Sequence, residues 1–381
     1  MSAATPAEAG ELRGAMVDLL KKRGVQLRPR IEQAFRRVPR EAFLPGVGLD
    51  RVYSGDAIVT KHDREGRPLS SSSEVGIMID MAELLDVAPG HRILEIGAGT
   101  GYNAAVLSEL TGDRGAVTTV DLDPEVAAQA GQNLAAASFH HVAVVAGDGW
   151  AGTADSLSYD RVEVTASVSD LSPKWVAQLA DGGTIVFPFV LPAGMQTVIA
   201  LRKQGTDLVS TGVTPGAFMR LRGQGSQART RTVDAFDIEL SDELVGVTNE
   251  TIAALLRQTP QFVVAPPLGW EAITLLALFN GNISVSRRGR IGITVGILDP
   301  AGSLALVDVS RDSIAGPFSV VLSFGSAAAK SRLFRAIEHL RAVRLRDLDV
   351  VARPTRLPAP VGDVVVRRSE FTFAFTAKRS G

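Results

Sequence analysis

Hydrophobic side chains repeat at helical spacing along the first part of the chain. Over residues 11–45 they recur three and four positions apart, with breaks at Gly24 and Pro39, and this period predicts one or two short helices. The same period over 74–85 predicts another helix, for which Ser73 stands in the N-cap position. Residues 46–72 are rich in glycine, proline, serine and charge, so we expect a loop there.

A different pattern begins at residue 91, where short apolar runs alternate with amphipathic ones. Elements this closely connected are typical of a doubly wound parallel sheet, so the predicted fold class is α/β and Rossmann-like. Two more strands, 196–202 and 207–213, are expected at an antiparallel edge of that sheet. The alternation itself predicts strands at 92–96, 116–122, 142–146, 159–165 and 182–187, and helices at 103–110, 124–137 and 173–179.

The pattern changes again after the glycine-rich stretch 223–227, which we interpret as a hinge. Beyond it, mixed helix and strand periods predict a separate α+β domain over 226–381, including a hairpin that turns at Asp299–Gly302. The expected organisation is therefore helices and a substrate-side loop over 1–90, a Rossmann-like core over 91–225 and a C-terminal domain that recognises a peptide.

Composition excludes several classes of site and partner. The 381 residues include 40 Lys and Arg against 41 Asp and Glu, so no overall charge draws the chain to nucleic acid or to an anionic membrane. The absence of cysteine excludes disulfides, thiolate nucleophiles and cysteine-ligated metals, and the five histidines are too scattered to predict a metal site. No apolar run could span a bilayer and no secretory signal pattern is present, so the expected location is the cytoplasm.

The strongest chemical signal is the glycine turn Gly97–Gly101, between a predicted strand and a predicted helix. Such a turn lets main chain approach a ligand closely and presents helix N-terminal amides. Glycines in this spacing are weak evidence by themselves. The dinucleotide fingerprint requires glycine at position 102, where this chain has Tyr102, so a nicotinamide dinucleotide site is disfavoured.

Acidic residues mark the ends of three strands around that turn. Glu95 precedes the turn, Asp121 ends the second strand and Asp148 follows the third. Carboxylates suit a ligand that carries a ribose, an adenine and a positive charge, whereas a pyrophosphate requires cations and free amides. S-adenosyl-L-methionine meets this requirement. The alternative is that Asp121 and Asp148 are surface carboxylates that cap turns.

Residues 20–223 resemble the protein-L-isoaspartate O-methyltransferases. The Val-Pro-Arg-x-x-Phe-x-Pro piece is specific to that family, and the resemblance implies an S-adenosyl-L-methionine-dependent methyltransferase fold that esterifies a peptide carboxylate. The matching stretches are Arg37–Pro45, Leu94–Tyr102, Gly147–Gly152, Tyr159–Ala166, Leu179–Gly183 and Leu221–Gly223.

The resemblance also implies roles for individual residues. Ser73, with Ser72, would orient the substrate carboxylate, although the family's Ile-Ser-x-Pro type segment is replaced by serines followed by Glu74. The alternative for Ser73 is that it only caps the following helix. The residues implied for cofactor binding are Glu95, Gly97, Gly99 and Gly101 on the methionine side, Asp121 at the ribose, and Asp148 and Gly149 at the adenine, together with Leu122 beside Asp121.

Three functions remain open from the sequence. The C-terminal domain is similar in size and placement to that of variants associated with ribosomally made, modified peptides, in which methylation of an Asp leads to aspartimide. This favours tailoring of a precursor peptide over general isoaspartate repair, and a non-catalytic cofactor-binding recognition protein is the third alternative.

Amine methylation is disfavoured because residues 165–168 lack an Asn/Asp-Pro-Pro-aromatic segment. Basic residues in the last fifty positions would suit an acidic leader peptide or form an ordinary solvated face. The oligomeric state stays open.

Overall fold

The N-terminal segment with apolar residues at helical spacing forms helices, and a β-hairpin follows them. A computed structural model of the protein describes residues 5–154, 157–226, 230–244, 246–288, 293–308 and 317–378. Thr5 and Glu8 form a capping box at the start of the first helix. The elements of this region are α1 (Pro6–Lys22), α2 (Pro29–Arg37), α3 (Leu49–Val52), β1 (Ile58–His62), β2 (Pro68–Ser72) and α4 (Val75–Leu85).

The hairpin corrects the expectation of a loop over residues 46–72. β1 and β2 pair antiparallel, with Ile58 opposite Ser72 and Val59 opposite Ser71. The strand was missed because short polar side chains, which prefer turns, occupy most of β2. Ser73 is not the N-cap of α4 either: that position is held by Glu74, whose side chain makes no capping hydrogen bond.

The predicted α/β fold is confirmed from residue 92 onward. The strands of this sheet lie in the order β9-β8-β7-β6-β3-β4-β5, and the pairs that β3 forms with β4 and β6 are parallel. Parallel strands bring the loops after β3, β4 and β5 to one edge of the sheet. The elements are β3 (Arg92–Ile96), α5 (Tyr102–Thr111), β4 (Ala116–Asp121), α6 (Pro124–Ala136), β5 (Ala143–Ala146), β6 (Tyr159–Val164), α7 (Pro173–Gln178), β7 (Leu179–Val190), β8 (Gln196–Gln204) and β9 (Asp207–Pro215).

The rest of the chain is rich in strands. An antiparallel sheet has the order β10-β11-β13-β14-β15-β16-β12, and the predicted hairpin at Asp299 joins β14 to β15. In addition, β17 and β18 each pair antiparallel with β19. The elements are β10 (Arg231–Val233), β11 (Phe236–Leu240), α8 (Asn249–Leu256), β12 (Gln261–Ala265), α9 (Trp270–Phe279), β13 (Ile283–Arg287), β14 (Thr294–Asp299), β15 (Ser303–Asp308), β16 (Ser319–Gly325), α10 (Ala327–Leu340), β17 (Leu348–Pro354), β18 (Val364–Arg367) and β19 (Phe371–Ala377).

The chain divides into two compact units, and the division is more complex than one boundary near residue 226. The first unit comprises 1–188, 198–212 and 218–226, and the second comprises 189–197, 213–217 and 227–381. Ring packing explains in part why residues 189–197 belong to the second unit. The ring centroids of Phe189 and Phe373 lie 4.4 Å apart within that unit. Of the predicted hinge, Gln227 falls outside the described residues. Among the helices in the described ranges, none is long and apolar enough to cross a membrane.

Candidate active site

The turn after β3 is shaped by three glycines and one threonine. Gly97, Gly99 and Gly101 have φ of 106°, 53° and 86°, a region that other residues rarely adopt. At the end of β6, the Thr165 hydroxyl donates to the carbonyl oxygens of Ile96 and Gly97, at 3.0 and 2.8 Å. A side chain at position 97 would collide with that hydroxyl. Thr165 is thus a supporting residue of this turn that the sequence did not single out.

The main-chain amides of the turn are largely consumed by the protein itself. The amides of Gly97 and Ala98 both donate to the Val120 carbonyl, at 2.8 and 3.2 Å, and that of Gly101 donates to Ala98. The Gly99 amide donates to Asp121 Oδ2 at 3.1 Å. A phosphate needs free amides of this kind. The loop therefore does not suit a pyrophosphate, and it does suit a ligand that is recognised through carboxylates.

Asp121 and Leu122 lie together at the end of β4. Asp121 is half-buried, and its other oxygen accepts from the Asp123 amide at 3.0 Å, so the carboxylate is held in place by main chain on both sides. The Leu122 side chain is 38% exposed. A held carboxylate beside an exposed apolar side chain can accept from ribose hydroxyls and contact the face of an attached base.

Asp148 reaches the same edge through a close turn after β5. Its oxygens accept from the amides of Trp150, at 3.0 Å, and Gln224, at 2.8 Å. Gly223 has φ of 88°, and a side chain there would come within 2.5 Å of Asp148 Oδ2. A side chain on Gly149 would lie 2.6 Å from Ile96 Cγ2 at the end of β3. Gly149 therefore acts by letting this turn approach β3.

Glu95 is buried beneath the glycine turn. Its side chain is 0% exposed, and it accepts hydrogen bonds from Thr119 Oγ1 and from Asn103 Nδ2, the latter at 2.7 Å. No part of Glu95 is exposed, and the contacts that the structure shows for it are those to Thr119 and Asn103, so its place on the methionine side stays a prediction. Through Asn103, in the first turn of α5, Glu95 is joined to the helix that follows the glycine turn.

A second buried carboxyl faces Glu95. Glu163 stands opposite it in the parallel β3–β6 register, and Asn103 Nδ2 also donates to Glu163 Oε2 at 2.7 Å. Burial raises the pKa of both carboxyls, and the charge of Glu163 raises that of Glu95 further. The sequence analysis missed this pair, although a glutamate inside the apolar strand β6 was a signal that could have shown it.

The serine-rich strand β2 lies against the glycine turn. A side chain on Gly99 would approach the Ser71 carbonyl oxygen to 3.1 Å. Two ion pairs also hold the hairpin beside the predicted cofactor residues Asp121 and Leu122. Lys61 Nζ on β1 lies 2.7 Å from both Asp123 Oδ2 and Glu125 Oε2. The residues predicted for the acceptor and for the cofactor therefore lie side by side.

The two candidate catalytic serines differ in their surroundings. Ser72 is 3% exposed, and its hydroxyl has no hydrogen-bond partner among the described residues. A buried hydroxyl without a partner is unfavourable unless a ligand completes it. Ser73 is half-buried, and the capping role considered for it is wrong because Glu74 is the N-cap of α4.

Comparison with known proteins agrees with this geometry. The sequence profile described as protein-L-isoaspartate(D-aspartate) O-methyltransferase matches residues 11–224. A protein-L-isoaspartate O-methyltransferase of Methanopyrus kandleri is 38% identical over 177 residues, which are 46% of this chain and 76% of that relative. One of Thermotoga maritima is 36% identical over 174 residues, which are 45% of this chain and only 54% of that relative.

A solved protein-L-isoaspartate O-methyltransferase structure matches more of the chain. It is 25% identical with a TM-score of 0.54, and the match covers 89% of this chain and 96% of the solved one. The likeness therefore extends past residue 224 into the second unit. Length alone then does not separate a peptide-tailoring enzyme from a repair enzyme.

Proposed function

This chain belongs to the protein-L-isoaspartate(D-aspartate) O-methyltransferase family, and from that premise we propose that it esterifies an aspartyl or isoaspartyl carboxylate in a peptide or protein. Members of this family are enzymes that use S-adenosyl-L-methionine. When bound, this cofactor supplies an electrophilic methyl group. Asp121, Leu122 and Asp148 would hold its adenosyl part, while Glu95 and Asn103 would support the glycine turn from below.

The observation that carries this proposal is the contact between the serine strand and the glycine turn, at Ser71 and Gly99. A carboxylate acceptor is already ionised at neutral pH, so this chemistry requires no general base. The task left to the protein is to orient the acceptor and to exclude water. We assign the orientation to the hydroxyls of Ser72 and Ser73, which would donate to one carboxylate oxygen and leave the other free to react.

The ester product would explain a later rearrangement of the peptide. The main-chain nitrogen that follows the esterified residue attacks the ester carbonyl, methanol leaves, and a five-membered aspartimide ring closes. Water then opens the ring to aspartate or isoaspartate. None of these later steps requires a group of the enzyme, so the release of the ester completes the enzymatic part.

Replacement of the serines tests the proposal. In Ser72→Ala, turnover is expected to fall by about ten- to a hundredfold, whereas the melting temperature stays equal or rises because an unpartnered buried hydroxyl is removed. Ser73→Ala is the matched variant one position on, and it is expected to lower turnover more than cofactor affinity. Methyl transfer to isoaspartyl and aspartyl peptides is measured by mass. Unchanged rates in both variants would remove the serines from the site.

The type of peptide that carries the acceptor carboxylate is the subject of a more specific proposal. We propose that the acceptor lies in a ribosomally made precursor peptide, which the second unit recognises. Two features support this: the serines are followed by Glu74 and Val75, where an Ile-Ser-x-Pro type segment would place proline at position 75, and exposed arginines are frequent near the end of the chain. The exposed set includes Arg332, Arg335, Arg344, Arg346, Arg356 and Arg367, while Arg341 and Lys378 are paired with Glu338 and Asp349.

A competition between substrates tests this narrower proposal. The enzyme is offered a panel of isoaspartyl peptides and peptides from neighbouring open reading frames, and the gain of one methylene unit is followed by mass spectrometry. A precursor peptide is expected to react faster, with an apparent affinity that weakens as salt is added. Equal rates on unrelated isoaspartyl peptides would instead identify general repair.

A further inference from the structure

Arg40 is a buried cation for which the described part of the chain supplies no counter-ion. It lies in the short 3-10 helix Arg40–Phe43, and its side chain is 0% exposed. Only Nη2 is bonded, to the carbonyl oxygens of Asp56 at 3.1 Å and Ser73 at 3.0 Å. Within the described residues, Nε and Nη1 have no hydrogen-bond partner, and no carboxylate forms an ion pair with Arg40.

Packing alone does not explain an arginine at this buried position. A buried charge that lacks an anionic partner is costly, and an apolar side chain of similar length would fill the same space without that cost. Burial lowers the pKa of Arg40, which expresses the same cost. The favourable terms are the two carbonyl contacts and the Tyr102 ring, whose centroid lies 5.4 Å from the guanidinium carbon. We therefore looked for the role of Arg40 in the segments that its two carbonyl contacts and its contact with Tyr102 join.

The three contacts of Arg40 join the two halves of the site. Asp56 lies two residues before the hairpin begins at Ile58, and Ser73 directly follows its last residue. Tyr102 is the first residue of α5 and directly follows Gly101 of the glycine turn. One planar side chain thus spans both ends of the serine hairpin and the helix that begins at the cofactor turn.

We propose that Arg40 is a positioning residue for methyl transfer: it fixes the main chain at Ser73 relative to the glycine turn, so that the serine hydroxyls meet the acceptor carboxylate. This inference rests on the proposed function. It accounts for the Arg40 position in the family-specific stretch 37–45, to which the sequence analysis gave no role. Small displacements of an orienting group cost large factors in rate.

The test compares Arg40→Met and Arg40→Lys with a matched control, Arg51→Met. Arg51 donates to Asp56 Oδ2 at 3.1 Å and to the Ala57 carbonyl at 2.9 Å, so it touches the same start of the hairpin. Neither Ser73 nor Tyr102 is among its contacts. The measurements are kcat, the KM for an isoaspartyl peptide, cofactor affinity by calorimetry, and hydrogen exchange over residues 70–76.

For Arg40→Met we expect kcat to fall about thirtyfold or more, cofactor affinity to stay within about threefold, and exchange over 70–76 to rise. Arg40→Lys should lie between this variant and wild type, and Arg51→Met should match wild type. Should Arg40→Met not fold, Arg40→Lys carries the same test. The proposal is overturned if a folded Arg40 variant keeps wild-type kcat, or if kcat and cofactor affinity fall together with faster exchange throughout.

Failure of the proposed function gives a different result. In that case wild type transfers no methyl group to any carboxylate peptide, while the exchange measurement still reports whether Arg40 holds the hairpin. Slow exchange over 70–76 that is unchanged in Arg40→Met would overturn the positioning role without reference to activity.

Discussion

Four carboxyl groups surround the glycine turn, and they form two pairs with opposite surroundings. Asp121 and Asp148 stand at the sheet edge and accept hydrogen bonds from main-chain amides. Glu95 and Glu163 are buried beneath the turn and share the side-chain amide of Asn103. The edge pair is partly exposed, whereas Glu95 is 0% and Glu163 1% exposed.

The difference shows that an acidic residue next to a glycine turn is not by itself a ligand contact. Glu95 and Asp121 both end or nearly end a strand in the sequence, but the register of β3 between β4 and β6 places Glu95 in the interior. Burial disfavours two adjacent charges, so the buried pair tends to keep a proton. We therefore expect changes at the buried pair to alter stability, and changes at the edge pair to alter cofactor affinity.

The largest effect is expected at Glu95. Glu95→Ala leaves the Thr119 hydroxyl and one Asn103 hydrogen without an acceptor in the interior and opens a cavity, so the free energy of unfolding should fall by about 3 kcal/mol or more. Denaturant titration measures this loss. Glu95→Gln, which keeps the volume, is the control and should lose clearly less. An alanine variant as stable as wild type would contradict the supporting role.

A smaller effect of a different kind is expected at the edge. Asp121→Ala and Asp148→Ala should each weaken S-adenosyl-L-methionine binding about ten- to a hundredfold, which corresponds to about 1.4 to 2.7 kcal/mol. Calorimetry measures the affinity and thermal melting the stability, which should change little. If both variants bind the cofactor as wild type does, the assignment of the edge pair to the cofactor is wrong.

The smallest effect is a pH dependence at Glu163. Burial raises the pKa of Glu163 from the ordinary 4.5 to about 7, so the folded protein holds this proton more tightly than the unfolded chain. The stability linked to the protonated carboxyl is complete below about pH 4.5 and is lost as the pH rises to about 7.

Glu163→Gln removes that loss. The variant should match wild type near pH 4.5 and exceed it by about 1 kcal/mol or more above pH 7, as measured by denaturant titration across this range. Glu11→Gln, at an exposed position of α1, is the control for the loss of one carboxyl group. A stability difference that stays constant with pH would exclude a raised pKa at Glu163.

Much of the first unit could be predicted because its apolar residues follow regular periods. The helices and parallel strands from 92 to 190 lie close to their predicted bounds. The hairpin of β1 and β2 could not be predicted, since its serines carry no apolar period and its position beside the glycine turn depends on Lys61 and on the contact with Gly99. The sequence showed Arg40 as part of the family-specific stretch 37–45, but it did not show that this arginine is buried.

The sequence by itself determined the α/β class, the glycine turn and the chemical types available around it, because these depend on local periodicity and on side-chain identity. Only the tertiary structure decided which carboxyls are buried and which stand at the sheet edge, which serine hydroxyl is left without a partner among the described residues, and which arginine joins the hairpin to α5. Those outcomes depend on strand register and burial, and both arise from contacts between residues far apart in the chain.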